Sequence, residues 1–276
     1  MSKSVLVTGG TAGMGYECAL KIAQQCPQYQ VTQRYLTLDL SNLVRVRSFA
    51  ADYAKKGYPQ IKALVLNAGL QILDLNYTED KIESTFAINH VGHALLFYLM
   101  SPYLAEDARI LITSSGTHDP AQKSGLPDAV YNSAEELAQP TKETGKYSGR
   151  QRYATSKLCN IMWIGFDPGL MPGTGLTREA PAILQFIWHQ IMPRTIWLLR
   201  LLVSPNIHSP RDSGASLARL AVGDDVKQVS GKYYEGQRPI PSSKDSQMVE
   251  KQENLWEWTV ERVAKDDQER RDFENV

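Results

Sequence analysis

A chain of 276 residues, 42% hydrophobic and 22% charged, has the length to bury a large core and an ordinary globular composition, which excludes a disordered or fibrous class. Thirty basic residues balance thirty acidic ones, so bulk charge excludes nucleic-acid binding by a strongly basic surface. Five scattered histidines and three cysteines without a CxxC pair, Cys18, Cys26 and Cys159, give no expectation of a metal site and an expectation of reduced thiols in a cytoplasmic protein.

The opening residues, MSKSVLVTGG, hold no apolar signal core, and no run of 18 apolar residues follows anywhere, so neither a leader nor a transmembrane span is expected. SVLVTG (4–9), YLTLDL (35–40), ALVLNAG (63–69) and RILITSSG (109–116) are short apolar runs closed by glycine or polar turns. Such runs suit strands buried on both faces of a parallel sheet, and periodic segments between them, such as 79–104, supply crossover helices. The alternation predicts an α/β fold with a doubly wound parallel sheet. Without repeats or low-complexity linkers, residues 1–276 read as a single domain. Residues 116–152 are polar and turn-rich, with one short helix expected at SAEELA; they read either as a surface loop or as an insertion lying over a site. Residues 177–208 are apolar and aromatic, split by Pro193 and interrupted by Arg194 and Arg200. That block reads as a hydrophobic substrate lobe that also packs, with peripheral membrane contact as the alternative.

Three groups of residues carry chemistry. VLVTGGTAGMG places Gly9, Gly13 and Gly15 between a strand and a helix, where glycine lets the backbone approach a pyrophosphate and the helix start faces the anion. Tyr153 and Lys157 are four apart, so they share one helix face, and a lysine ammonium would lower the tyrosine pKa toward acid–base use. Ser114 and Ser115 close a strand that alternates faces, so only one of them points into a site.

With TGGTAGMG (8–15), Asp39-Leu40, NAG (67–69), Asn89, Ser115, YATSK (153–157) and Pro168-Gly169 occurring in order, the chain resembles the short-chain dehydrogenase/reductase family. The end from SGKYY (230–234) resembles the family's closing strand and helix. The resemblance implies a Rossmann fold of three α/β/α layers. It implies that Gly9, Thr11, Gly13, Met14 and Gly15 hold the cofactor phosphates, that Asp39 and Leu40 flank the adenine, and that Asn67, Ala68 and Gly69 lead to the nicotinamide ribose. Pro168 and Gly169 complete the cofactor set. Tyr153 would exchange the proton, with Ser115 polarising the substrate oxygen, Lys157 supporting the tyrosine and reaching the ribose, and Asn89 kinking its helix and holding a water beside the lysine. The 38-residue step from Ser115 to Tyr153 and the sequence NHVGHALL resemble the branch of retinol dehydrogenases and light-dependent protochlorophyllide reductases. That branch implies a hydrophobic small-molecule substrate, NADP(H) in preference to NAD(H), and self-association through the tyrosine helix as one outcome.

Two spacings depart from the family. Between YQVT (29–32) and YLTLDL only Gln33 and Arg34 remain, where a parallel neighbour needs a crossover of about a dozen residues. Arg34 also falls where the family selects between NAD and NADP. Between Lys157 and Pro168 lie ten residues, Leu158 to Asp167, where the rest of a helix, a loop and a strand need roughly twenty. Residues absent from the sequence as given are the favoured explanation; a naturally shortened chain and a non-catalytic relative are the others. The functional expectation is an NAD(P)(H)-dependent oxidoreductase acting on a carbonyl or alcohol. A dinucleotide-binding sensor or scaffold and a C=C reductase stand as alternatives.

Overall fold

A computed structural model describes residues 3–27, 36–163, 166–175 and 181–275, with only the backbone of Phe166. Strands β1 (Ser4–Val7), β2 (Ile61–Leu66) and β3 (Leu104–Ile112) form a parallel sheet in the order β1-β2-β3. All six residues of β2, IKALVL, are buried, because each face of the strand meets its own layer of helices. Ala63 and Val65 point into a cluster with Cys18 and Ile22 of α1 (Gly13–Gln25) and with Leu217 and Ala221 of a later helix. Leu64 and Leu66 point into the opposite cluster, with Val46 and Phe49 of α2 (Leu43–Lys55), Leu95 and Met100 of α3 (Gly92–Met100), and Leu158 of α4 (Gly149–Trp163). The period-2 alternation of one strand therefore specifies a three-layer α/β/α arrangement. Full burial of each Leu, Ile or Val here contributes about 1.5–3 kcal/mol.

Leu217 and Ala221 belong to α5 (Pro210–Val222), which starts with Pro at its first position and is capped by Ser209, whose hydroxyl accepts from the Asp212 N–H at 3.1 Å. Helices α6 (Val249–Val263) and α7 (Asp267–Glu274) close the other layer through Leu255, Val260 and Phe273. A second, small sheet joins β4 (Phe166–Asp167) in parallel to β5 (Tyr233–Glu235), which pairs antiparallel with β6 (Arg238–Ile240).

The strand expected at YLTLDL is corrected. Residue 35 lies outside the described residues, residues 36–39 have no regular structure and Leu40 is in a turn. Asp39 turns the chain, accepting from the Ser41 N–H at 3.0 Å and the Ser41 hydroxyl at 2.6 Å, and Asn42 then caps α2. An apolar run becomes a strand only with a neighbour to pair with, and the two residues available before it hold no crossover. The YQVT segment and Arg34 lie outside the described residues. β3 begins at Leu104, five residues before the expected start, and ends at Ile112. The periodic segment 79–104 becomes helical only from Ser84.

The 116–152 insertion divides in two. Asp119 to Leu126 borders the cleft described below, whereas Tyr131 packs on α6, its hydroxyl donating to Asn254 Oδ1 at 2.8 Å. The short helix Ala134–Ala138 is capped by Ser133. Buried Arg152 anchors α4, with Nε 3.2 Å from Glu83 Oε1 and Nη2 donating to the Leu73 carbonyl at 3.0 Å. Among the described residues no helix is long and apolar enough to cross a membrane.

Candidate active site

The three parallel strands end side by side, and the residues that follow them, Thr8, Asn67 and Thr113, meet at the carboxyl edge of the sheet. Open α/β sheets bind ligands in the crevice at that edge. A cleft of about 1380 Å³ lies there. Gly9, Thr11, Gly13, Met14, Gly15, Asp39, Leu40, Asn67, Ala68, Gly69, Ser115, Tyr153, Lys157, Pro168 and Gly169 all line it.

The glycine turn fits a dinucleotide. Gly9 adopts φ +64°, and a Cβ on Gly15 would stand 2.4 Å from the Gly9 carbonyl oxygen, so the turn closes only on glycine. Helix α1 starts from Ala12 with no side-chain cap and no acidic residue in its first turn. Its first N–H groups and positive dipole end are therefore left for an anion. The Met14 side chain is buried in the core, so only its backbone serves the cleft. The turn is tied to NAG: the Thr8 hydroxyl accepts from the Asn67 and Ala68 N–H groups at 2.8 and 2.9 Å, and Asn67 Nδ2 donates to the Thr8 carbonyl at 2.9 Å.

Helix α4 carries Tyr153 and Lys157 on one face, both buried. Lys157 Nζ donates to the Thr113 carbonyl at 3.1 Å and stands 5.5 Å over the Tyr153 ring. Ser114 is fully engaged with the helix, its hydroxyl donating to the Lys157 carbonyl at 2.7 Å. Ser115 is half-buried in the cleft wall, its hydroxyl accepting from the Thr117 N–H at 3.3 Å and lying close enough to Tyr153 to act on the phenol's titration. The expected effect of Lys157 on the tyrosine is corrected. Burial and the Asp167 carboxylate push the Tyr153 phenol above its ordinary value, and the Ser115 hydroxyl pulls it partly back. Burial pushes the Lys157 ammonium down to about 8, with Asp167 opposing. The tyrosine is thus held as a phenol, a proton donor.

Asn89 sits in a π-helical turn, Ala87–Val91, the local irregularity that functional sites often retain. Its fully buried side chain holds the chain after NAG: Oδ1 accepts from the Leu70 N–H and Nδ2 donates to the Leu70 carbonyl, both at 2.9 Å. Nδ2 also donates to the Ser156 hydroxyl at 2.9 Å. Asn89 therefore acts behind the cleft wall as a positioning residue.

Four residues that the motifs did not single out complete the site. Thr8 accepts two N–H bonds and places its one proton on His93 Nε2 at 2.9 Å, in preference to the Val65 carbonyl at 3.4 Å. This fixes Nδ1 of His93 as the N–H that donates to the Asn89 carbonyl at 3.2 Å. The cofactor turn and the Asn89 turn are joined through that imidazole. His118 holds Ser115 in the same manner, Nδ1 bonding the Ser115 carbonyl at 2.7 Å while Nε2 accepts from the Ser243 N–H at 3.3 Å. Asp167, almost wholly buried at the cleft, accepts from the Gly169 N–H at 2.9 Å and from Asn206 Nδ2 at 2.8 Å. Sequence signals existed for three of them: Thr8 opens TGGTAGMG, His93 lies four residues after Asn89, and Asp167 directly precedes Pro168-Gly169.

The buried histidines dictate an acid response. Burial lowers His90 from 6.5 to about 3 and His93 from 6.5 to about 4. Below pH 6.5 the unfolded chain takes up protons that the folded chain refuses, so stability is lost as pH falls toward 4. Each histidine contributes a slope of about 1.4 kcal/mol per pH unit. Urea-unfolding midpoints are expected to drop steeply between pH 6.5 and 4.5, and His93→Gln to flatten the decline; an unchanged slope in the variant would refute the assignment.

Residues 20–134 match the family described as short chain dehydrogenase, and residues 175–269 the AcuH dehydrogenase domain. The WW domain-containing oxidoreductase of Drosophila melanogaster is 26% identical, over 95% of this chain and 68% of its own length. The chain spans about two thirds of that relative. Their alignment runs over 304 positions, so about forty positions of the relative have no counterpart in this chain. Human retinol dehydrogenase 12 is 24% identical, over 94% of this chain and 85% of its own. Among solved structures, a short chain dehydrogenase from Burkholderia cenocepacia J2315 in complex with NADP superposes with a TM-score of 0.54 at 18% identity, covering 85% of this chain and 96% of that one. The 3-oxoacyl-[acyl-carrier protein] reductase of Brucella melitensis in complex with NAD gives 0.56 at 15%, covering 86% and 96%. The glycine turn, the three strand ends and the two matched segments lead the same way: the chain is similar to the short chain dehydrogenases over residues 20–134 and to the AcuH dehydrogenase domain over residues 175–269, on a fold shared with solved NADP and NAD complexes.

Proposed function

We propose that this protein reduces a carbonyl, or oxidises the corresponding alcohol, of a hydrophobic small molecule. The observation that carries the reading is the convergence of Ser115, Tyr153 and Lys157 on the cleft that also holds the uncapped start of α1. A bound nicotinamide dinucleotide supplies or takes up the hydride. In the reducing direction the Tyr153 phenol gives its proton to the substrate oxygen, and the Ser115 hydroxyl donates a hydrogen bond to the same atom as charge develops. Lys157, positive below about pH 8, stabilises the phenolate left behind. Asn89 and His93 keep the Leu70 segment and the α4 face in register.

An apolar substrate is supported by Leu126, Leu170, Met171, Val203 and Ile207 in the cleft wall. A nicotinamide dinucleotide is supported by the likeness to solved NADP and NAD complexes, and NADP(H) in preference to NAD(H) is the choice we propose. The intact Ser-Tyr-Lys set favours chemistry over a non-catalytic scaffold. Calorimetry with NADPH and NADH, followed by a panel of apolar aldehydes and ketones, tests the reading. Tighter binding of NADPH and its oxidation by an apolar carbonyl are expected; dinucleotide binding with no turnover across the panel would favour the scaffold.

A further inference from the structure

Residues 182–202 form short helical turns, Ala182–Phe186, Ile187–Ile191, Met192–Thr195 and Ile196–Leu202. Their inner side is fixed to the body: Trp188 Nε1 donates to the Thr174 carbonyl at 3.0 Å, Pro193 packs on Gly173, and Arg200 Nε donates to the Ile207 carbonyl at 2.6 Å. Their exposed residues are mostly apolar, with His189, Gln190, Arg194 and Arg200 the polar ones among them. Eight of the sixteen exposed large hydrophobics among the described residues lie between 183 and 203, which concentrates them in one segment of the surface. Trp197 is 68% exposed, Leu201 75% and Leu202 71%, with Ile183, Phe186 and Val203 beside them in sequence and also exposed. Patches of this kind mark interaction sites.

Charge selects the occupant. From 181 to 208 the sequence contains Arg194 and Arg200 and no Asp or Glu. Arg200 has Asp212 at 3.6 Å, whereas Arg194 bonds only Gln190 and has no ion-pair partner among the described residues. A two-fold contact between copies sets a patch against itself, which here brings a second Arg194 and no new acid to the first, since the acid beside the patch, Asp212, already faces Arg200. An anionic lipid surface supplies the missing charge, accepts the apolar side chains, and suits an exposed indole and snorkelling arginines. The turns are too short to span a bilayer.

We propose that the 182–203 face docks on a phospholipid bilayer containing anionic headgroups, lying on it without crossing it. Val203, at the end of this face, also lines the cleft with Ser204 and Pro205, so the site mouth lies next to the lipid. The test is independent of turnover. The full chain is floated with vesicles of phosphatidylcholine alone and of phosphatidylcholine mixed with phosphatidylserine, beside Leu201→Gln/Leu202→Gln, Trp197→Ser and Arg194→Glu variants whose thermal melting is checked. Wild type is expected to float with the mixed vesicles. The double variant should lose about tenfold in partitioning, Trp197→Ser should weaken binding to both lipids, and Arg194→Glu should weaken binding to the anionic vesicles alone. Failure to float with either lipid, or flotation unaffected by the substitutions, overturns the proposal. So does a dimer in solution that Leu201→Gln/Leu202→Gln converts to monomer without any vesicle binding, since the occupant is then a second copy.

Discussion

Tyr153→Phe is expected to lower kcat for carbonyl reduction by about a thousand-fold, close to 4 kcal/mol of transition-state stabilisation, while leaving dinucleotide affinity and melting temperature nearly unchanged. The substitution removes one oxygen from a side chain only 8% exposed, and the ring stays in place beneath Lys157. The neighbouring Ser115 hydroxyl keeps its contact with the Thr117 N–H at 3.3 Å. No buried donor or acceptor is orphaned, so the fold has no reason to weaken. The phenol, pushed upward by burial, is the protonated group nearest to where a substrate oxygen would meet Ser115. Steady-state kinetics beside calorimetry on the same preparation checks this. Retention of more than a tenth of wild-type turnover would show that the proton comes from elsewhere.

The parts of this site that are local in sequence were legible there. A strand, a glycine turn and an uncapped helix follow one another within residues 4–25, and Tyr153 and Lys157 are one helical turn apart, so pattern and periodicity suffice. Ser114 and Ser115 are neighbours just past the end of β3, and the structure gives them different surroundings: the Ser114 hydroxyl donates to the Lys157 carbonyl, and Ser115 lines the cleft beside Tyr153. The tethers were not legible. Thr8 meets His93 across 85 positions and His118 meets Ser243 across 125, and no spacing rule connects residues that only the folded sheet brings together. YLTLDL was misread because strand propensity carries no information about whether a neighbour exists. The tyrosine's titration was misread because a lysine four residues away is visible in sequence, while burial and Asp167 are not. The short step after Lys157 was legible as a departure: α4 runs to Trp163 and β4 keeps two residues.

Asp167→Asn is expected to move the alkaline limit of carbonyl reduction to lower pH. Lys157 is charged below about 8 and neutral above it, and the phenolate formed as Tyr153 gives up its proton needs that charge. The kcat/KM of the wild type for reduction should therefore fall as pH rises through about 8. The Asp167 carboxylate supports the ammonium, raising Lys157 against the larger effect of burial. Removing that negative charge takes away the support, so the break should shift toward acid by about one unit, the size of a nearby charge–charge effect. Asparagine retains an oxygen for the Gly169 N–H but cannot accept from Asn206 Nδ2 without an amide flip, so stability should fall by about 1–3 kcal/mol. Stability loss lowers the amount of active enzyme without displacing the break, and the pH profile separates the two effects. Profiles of wild type and variant breaking at the same pH would exclude Asp167 as the group that sets the charge of Lys157.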